Sequence, residues 1–256
     1  MLDPALMAAG AATGLVVGLT GVGGGALMTP LLLLVFGVAP VTAVATDLWF
    51  AALTKLCGAR VHHAAGHVDW QVARRLWAGS LPVALLVVAW VAAGGRAARL
   101  DWLGQAVGAV VLLTALGMVA APWAARRLRA SGTVAKGGGA LGTALAGAAL
   151  GLLVALTSVG AGALGSVLLQ ALYPGRMTPH RLVATDIVHA IPLALVAGIG
   201  YLWAGLVDWG MLASLLAGSI PAVALGSRWS VRLPAGGVRL ALSAVLVAVG
   251  VKALVG

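Results

Sequence analysis

A glycine-broken apolar segment occurs twice in this chain, at corresponding positions of its two halves. Residues 14–36 and 151–173 are identical at 12 of 23 positions, and Pro40–Pro82 matches Pro179–Pro221 at 17 of 43 positions. Agreement over two successive blocks indicates an internal duplication. A glycine-interrupted hydrophobic segment at matching places in two repeats is a sequence feature that points to the binding site of a transporter.

The composition places both halves in a membrane. Of the 256 residues, 62% are apolar and only 9% are charged, and the mean hydropathy is +1.08. We predict an all-α, polytopic membrane protein whose repeats occupy residues 1–125 and 140–256, joined by a basic, glycine-rich cytoplasmic linker at 126–139. Most of the long apolar stretches have the ~20 residues that a bilayer crossing needs. They are Leu6–Phe36, Pro40–Ala64, Val72–Ala93, Trp102–Ala121, Leu141–Tyr173, Leu182–Ala204, Trp209–Ser227 and Leu240–Val255.

The first glycine segment is too long for one crossing. As one straight helix, Leu6–Phe36 measures ~46 Å, against a hydrocarbon core of ~30 Å. The pieces on either side of Gly21–Gly25 measure only ~22 and ~16 Å, so neither crosses alone. Irregular backbone at membrane depth is tolerated where protein or a polar cavity surrounds it. We therefore predict that each glycine segment is a re-entrant hairpin whose tip reaches the middle of the membrane.

The basic residues test this topology, because cytoplasmic loops are enriched in Lys and Arg. With a hairpin in each half, each half makes three full crossings and the halves are inverted. Leaving Lys55 aside, 12 basic residues then lie inside and 3 outside, whereas eight full crossings give 8 and 7. The sequence thus predicts inverted repeats, each a glycine-broken re-entrant hairpin plus three transmembrane helices. Since the charges of this +10 chain lie in short loops, no nucleic-acid partner is expected.

Several motifs, most of them present in both halves, resemble those of one family. The first half contains Gly18-x-x-Gly21-x-Gly23-Gly24-Gly25 before Pro30, then Ala45-Thr46-Asp47, then His63-x-x-Gly66-x-Val68-Asp69-Trp70 before Gly79-Ser80-x-Pro82. The second half adds Thr185-Asp186, Gly205-x-Val207-Asp208-Trp209 and Gly218-Ser219-Ile220-Pro221. Over nearly its whole length the chain resembles the TauE/SafE membrane proteins, the sulfite exporters of the toluenesulfonate uptake permease superfamily. The resemblance implies a transporter, expected to be an exporter, of small sulfur-containing anions in the bacterial inner membrane: sulfite, sulfoacetate, other organosulfonates or thiosulfate.

The residues of the two glycine segments fit an anionic cargo. Consecutive amides at a hairpin tip, with the positive end of the following helix, hold an oxyanion without a full positive charge. The expected substrate-binding residues are Thr20, Gly21, Val22, Gly23, Gly24 and Gly25 in the first copy and Thr157, Ser158, Val159, Gly160, Ala161 and Gly162 in the second. The alternative is that these glycines only permit close helix crossing.

Four ionisable residues within the apolar stretches are candidates for coupling or charge balance: Asp47, Lys55, Asp186 and His189. Asp47 and Asp186 either lie deep enough to carry a coupling proton, with His189 on the same helical face as Asp186, or cap helices that begin there. Lys55 either attracts the anion or balances an aspartate, or it extends to the interface. Asp69 and Asp208, each before a tryptophan, are expected to be helix caps at an interface.

No motif indicates an enzyme, a cofactor or a metal site. His62, His63 and His67 lack acidic or cysteine companions and are expected to be solvated, and the chain has neither a zincin motif nor a nucleophile elbow. The leading hypothesis is a secondary transporter for which a proton or the membrane potential supplies the driving force. A passive anion channel and a non-transporting membrane assembly protein are the alternatives. The expected partners are the anion, the lipid bilayer, a coupling proton and a second copy in a homodimer.

Overall fold

The computed structural model describes residues 2–20, 25–63, 68–93, 105–117, 120, 139–160, 162–229, 243–248 and 250–253. These residues form helices and connecting turns, with no strand among them, so the all-α prediction is confirmed. The helices of the first half are α1 (Pro4–Thr20), α2 (Gly25–Leu34), α3 (Pro40–His63), α4 (Trp70–Ala93) and α5 (Gln105–Gly117). The second half contains α6 (Ala140–Thr157), α7 (Ala163–Leu172), α8 (Pro179–Trp203), α9 (Trp209–Trp229) and α10 (Ser243–Ala253).

Both glycine segments divide into a longer and a shorter helix. In the second half, α6 ends at Thr157 and the 10-residue α7 begins at Ala163. In the first half, the helices α1 and α2 flank positions 21–24, which lie outside the described residues. At 1.5 Å per residue, α7 is ~15 Å long and too short to cross a bilayer, whereas the 18-residue α6 reaches ~27 Å. The break is therefore present, and its depth in the membrane remains a prediction.

Four of the described helices are long and apolar enough to cross a membrane. They are the segments Trp70–Ala92, Ala140–Thr157, His180–Trp203 and Trp209–Gly226. The outer surface of the bundle carries large apolar side chains, such as Leu86 and Leu141, and Trp203 is 85% exposed. An apolar surface of this kind needs lipid around it, so the fold is that of a multi-pass membrane protein.

Equivalent helices of the two halves make reciprocal contacts. Helix α1 packs along α9, and its repeat equivalent α6 packs along α4. Gly10 in α1 meets the carbonyl of Leu215 in α9, just as Gly147 in α6 meets the carbonyl of Leu76 in α4. A Cβ on Gly10 would lie only 2.1 Å from the Leu215 oxygen, and one on Gly147 only 2.3 Å from the Leu76 oxygen. The absence of a side chain thus allows close backbone approach, as in other membrane helix pairs. The two halves therefore use equivalent positions for matching contacts.

Helices α3 and α8 form the centre of the bundle. They pack against each other, while α4, α6 and α7 also contact α8, and α2 and α9 contact α3. The membrane-spanning stretch of α8 is 67% buried inside the protein, whereas the corresponding stretches of α4, α6 and α9 are 33–39% buried. The buried polar residues of α3 and α8, such as Asp47 and Asp186, are therefore enclosed by other helices instead of lipid.

Asp69 and Asp208 cap α4 and α9, as the sequence predicts. Oδ1 of Asp69 accepts a hydrogen bond from the Val72 amide at 3.3 Å, and Oδ1 of Asp208 accepts one from the Met211 amide at 2.9 Å. The Arg176 guanidinium also donates to both oxygens of Asp69, at 2.8 and 3.0 Å. The first cap therefore joins α4 to the turn between α7 and α8.

Candidate functional site

Asp47 and Asp186 lie inside the central helices and do not cap them. Helix α3 begins at Pro40, and α8 begins at Pro179 after the N-cap Thr178. Each aspartate is therefore about two turns into its helix. The capping interpretation is wrong because a proline at the first helical position already starts each helix upstream. Both carboxylates are buried.

Asp186 is held by donors from two other helices. Its Oδ1 accepts a hydrogen bond from the Gly162 amide at 3.1 Å, at the N-terminus of α7. Its Oδ2 lies 3.7 Å from the Nζ of Lys55 on α3, and both side chains are buried. The same Oδ1 rests against α7 at Gly165, where a Cβ would lie 2.3 Å from it. The structure thus joins two of the four predicted ionisable residues directly.

Asp47 has a different environment in the first half. Its Oδ2 accepts a hydrogen bond from Thr29 of α2 at 2.5 Å, while Oδ1 is buried without a partner in the described part of the chain. The residue equivalent to Thr29 is Ser166, which instead donates to the carbonyl of Gly162 in its own helix. The two aspartates are equivalent in sequence, but within the part of the chain that the structure describes only Asp186 forms an ion pair.

His189 is bound to α4 and not to Asp186. Its Nε2 lies 3.0 Å from Oγ of Ser80, and its carbonyl accepts a hydrogen bond from the Trp77 indole at 3.2 Å. Nδ1 is buried with no hydrogen-bond partner among the described residues. Lys55 is near enough for its charge to act on both His189 and Asp47. All four predicted ionisable residues therefore belong to one buried polar cluster.

The described amides of the second glycine segment are mostly engaged within the protein. The Ser158 amide donates to the Val154 carbonyl at 2.8 Å, and the Val159 amide donates to Oγ1 of Thr157 at 3.2 Å. The Gly162 amide is bound to Asp186, as described above. The backbone here has positive φ at Ser158 (57°), Gly160 (119°) and Gly162 (125°). Only glycine adopts the last two values readily, which explains why the break needs glycine at both positions.

A small cavity adjoins this segment. Its volume is about 10 Å³, roughly the space of one water molecule. Lys55 and Ser158 supply its polar lining, and small or aliphatic residues supply the rest. The Ser158 hydroxyl is buried with no hydrogen-bond partner in the described ranges, and although it lies near Asp47, no bond of acceptable geometry joins them. A buried unpaired donor beside a buried cation favours an anionic or polar ligand.

The other predicted binding residues are described incompletely. Gly21, Val22, Gly23, Gly24 and Ala161 lie outside the described residues. For Thr20 and Gly25 the structure describes the backbone alone: Thr20 is the last residue of α1 and Gly25 is the first residue of α2. His62 and His63 lie within α3, but their side chains are outside the description, as is all of His67. Across the described residues, no group of three or more His, Cys, Asp or Glu side chains could hold a metal ion.

Comparison with known proteins identifies the family to which the chain belongs. The sequence profile described as "Sulfite exporter TauE/SafE" matches residues 6–253. The chain belongs to the TauE/SafE family. Among TauE/SafE-like relatives, "Probable membrane transporter protein YjnA" of Bacillus subtilis (strain 168) is 34% identical over 244 residues, which cover 93% of this chain and 94% of YjnA. "Probable membrane transporter protein YunE" of the same strain is 41% identical over 63 residues, 25% of this chain and 23% of YunE. No solved structure matches the chain.

In this TauE/SafE protein, sequence reasoning missed the roles of three hydroxyl residues, two that bind members of the cluster and one that binds a helix cap beside it. Thr29 binds Asp47 and Ser80 binds His189, and Thr185 accepts a hydrogen bond from the Asp69 amide at 3.0 Å. A signal was present for two of them, because Ser80 and Thr185 belong to motifs that occur in both halves. Thr29 matches only a serine in the second half, so its role follows from the packing of α2 on α3.

Proposed function

We propose that this protein is a secondary transporter that exports small sulfur-containing anions such as sulfite, sulfoacetate, other organosulfonates or thiosulfate. Membership of the TauE/SafE family and similarity to a probable membrane transporter support the transporter class. The anion binds at the breaks Thr20–Gly25 and Thr157–Gly162, near the middle of the membrane. Asp47, Lys55, Asp186 and His189 balance its charge and couple its movement to protons.

Buried Lys55 is the observation that carries this proposal. A charged side chain within a membrane bundle is costly and is retained where it serves a pathway or a ligand. Lys55 lies on the central helix α3, beside the second helix break and next to the cavity that Ser158 also lines. The N-terminus of α7 adds its positive dipole end at the same place. Lys55 and this helix terminus therefore offer positive charge to an anion once the Asp186 carboxylate no longer neutralises Lys55.

Transport by purified protein in liposomes tests this function. We expect saturable flux of sulfite, an organosulfonate or thiosulfate, and accumulation of the anion when a gradient is imposed. Lys55→Met is expected to lower the initial rate at least tenfold. Lys252→Met, on an exposed residue of α10, is the matched control and keeps the wild-type rate. No flux of any of these anions refutes the proposal, and flux without saturation or accumulation indicates a passive channel. Wild-type flux in Lys55→Met refutes the assigned site.

We further propose that the protein lies in a bacterial inner membrane, as a homodimer, with inverted halves. Residues 1–125 and 140–256 are then the two repeats, and 126–139 form a cytoplasmic linker. The reciprocal packing of α1 on α9 and α6 on α4 supports related halves. Single cysteines placed in a Cys57→Ala background test the orientation. A cysteine at Ser131 reacts with an impermeant maleimide only from the cytoplasmic side if the topology is correct.

A further inference from the structure

We infer that the Asp186 carboxylate occupies the anion site when no cargo is bound, so that cargo and Asp186 compete for the same hydrogen-bond donors and the same cation. A bound anion takes the place of the carboxylate beside Lys55 and the Gly162 amide, while Asp186 takes up one proton. This inference rests on the proposed function. It further specifies the charge of the preferred cargo and the number of protons bound with each anion.

The donors around Asp186 are those that an oxyanion needs. One oxygen receives the Gly162 amide at 3.1 Å, and the other lies 3.7 Å from the Lys55 ammonium. A backbone amide at a helix N-terminus with a nearby cation is a general anion-binding arrangement. The carboxylate now uses both donors, so an anion from solution gains them only when Asp186 releases them.

The site has one donor that Asp186 does not use. Ser158 is only 5% exposed, and its buried hydroxyl, although near Asp47, makes no hydrogen bond of acceptable geometry among the described residues. It lines the cavity together with Lys55. An anion with three oxygens on one sulfur can direct one oxygen to each of Lys55, Gly162 and Ser158, whereas Asp186 engages Lys55 and Gly162 and leaves the Ser158 hydroxyl unused. This difference favours a sulfur oxyanion over Asp186 once the aspartate is neutral.

Charge balance fixes the number of protons. Without cargo, Lys55 and Asp186 together carry no net charge, and in this proposal Asp47, which is bound to Thr29, keeps the same protonation state with and without cargo. With a monovalent anion bound and Asp186 protonated, Lys55 and the anion again sum to zero. A second negative charge in this buried place has no described cation to balance it and is costly. The site therefore prefers monoanions, namely hydrogen sulfite and simple sulfonates, and each is bound together with one proton.

The other charged groups near Asp186 do not replace this balance. On α3, Asp47 is bound to Thr29, and on α8 itself His189 is bound to Ser80. Helices α6 and α7 contain no titratable side chain. Helix α4 carries Arg74 and Arg75 in its first two turns, where Arg74 donates to the Trp70 carbonyl and Arg75 to the Tyr173 hydroxyl. Among the groups described, Lys55 is the cation positioned against Asp186.

The experiment is calorimetric titration of the full-length protein in detergent. Protons are counted with methanesulfonate, whose single charge does not change with pH, in buffers of different ionisation enthalpy. Hydrogen sulfite, which itself exchanges a proton with sulfite near neutral pH, is titrated for affinity alone. The wild type is expected to take up one proton per anion, and its affinity to fall about tenfold per pH unit above the titration of Asp186. Asp186→Asn takes up no proton, and its affinity does not change with pH. Asp208→Asn is the matched control, since asparagine also caps helices, and it keeps the wild-type proton count.

The outcomes separate this inference from the proposed function. If the wild type binds neither anion, the proposed function fails. If the wild type binds an anion with no proton uptake, or if Asp186→Asn still takes up a proton, the inference is overturned while the function stands. Asp186→Ser serves as a second neutral variant should Asp186→Asn unfold. The proton count of the wild type decides the matter even if neither variant folds.

Discussion

The hydroxyl of Thr185 accepts a hydrogen bond from the backbone amide of Asp69 at 3.0 Å. The reciprocal bond joins Thr46 and the Asp208 amide at 3.2 Å. Each threonine directly precedes a buried aspartate in a central helix, and each amide belongs to the cap of a helix in the other half. Each half thus fixes the start of a helix in the other half of the chain, beside the residues of the candidate site.

Thr185→Val is expected to destabilise the protein. Valine has nearly the shape of threonine but accepts no hydrogen bond, so the buried Asp69 amide loses its partner at a cost of about 1–3 kcal/mol. Thermal unfolding in detergent measures the effect as a lower transition temperature. Thr13→Val is the control, because the partners of the Thr13 hydroxyl among the described residues are carbonyls of its own helix, at Ala9 and Gly10. Equal shifts in both variants would show that the contact between the halves contributes nothing.

A methyl group at Gly147 is expected to disturb the packing of α6 on α4. The new Cβ would lie 2.3 Å from the carbonyl oxygen of Leu76, so the backbones must separate. Overpacking of this kind costs about 1–3 kcal/mol, and Gly147→Ala should lower the unfolding temperature despite the better helix propensity of alanine. Gly142→Ala in the same helix is the control, because its nearest atom, on Leu172, is 4.0 Å away. A stabilised Gly147→Ala variant would contradict the close approach.

Much of the fold could be predicted from the sequence because the duplication repeats its landmarks. The break in the second glycine segment and the caps at Asp69 and Asp208 follow from local chemistry, which acts within a few residues. The beginnings of α3 and α8 were harder to predict. The Thr-Asp pairs resemble caps, but Pro40 and Pro179 start the helices earlier. Two local signals competed, and proline was the stronger.

The site could be predicted only in outline. The places of Asp47, Lys55, Asp186 and His189 in apolar stretches made burial one of two alternatives, beside helix caps for the aspartates and an interfacial place for the lysine. Their partners depend on how α2, α4 and α7 pack on the central pair. The pairing of Lys55 with Asp186 joins residues on different helices and leaves no spacing signal. The use of the Gly162 amide by Asp186 also has no counterpart in the sequence. Tertiary packing, and not periodicity, decides these contacts.

The hydrogen bond from Thr29 to Asp47 is expected to hold the first aspartate in place. Thr29→Val removes the donor and leaves a buried carboxylate with fewer partners, which costs about 1–3 kcal/mol. Thr29→Ser keeps the hydroxyl and is the matched control. We expect a clearly lower unfolding temperature for valine and a small change for serine. If serine and valine destabilise equally, the methyl group of Thr29, not its hydroxyl, is the important feature.

Gly162→Ala separates backbone strain from a role in binding. Gly162 has φ of 125° and Gly175 has φ of 86°, so alanine is strained at both positions, at a cost of about 1–3 kcal/mol each. Gly175 lies in the exposed turn between α7 and α8, with no atom within 4 Å of an added Cβ, whereas Gly162 donates its amide to Asp186. We expect both variants to lose similar stability, but only Gly162→Ala to lower the initial rate of anion flux into liposomes, by tenfold or more. Equal flux in the two variants would mean that the geometry at Gly162 serves the fold alone.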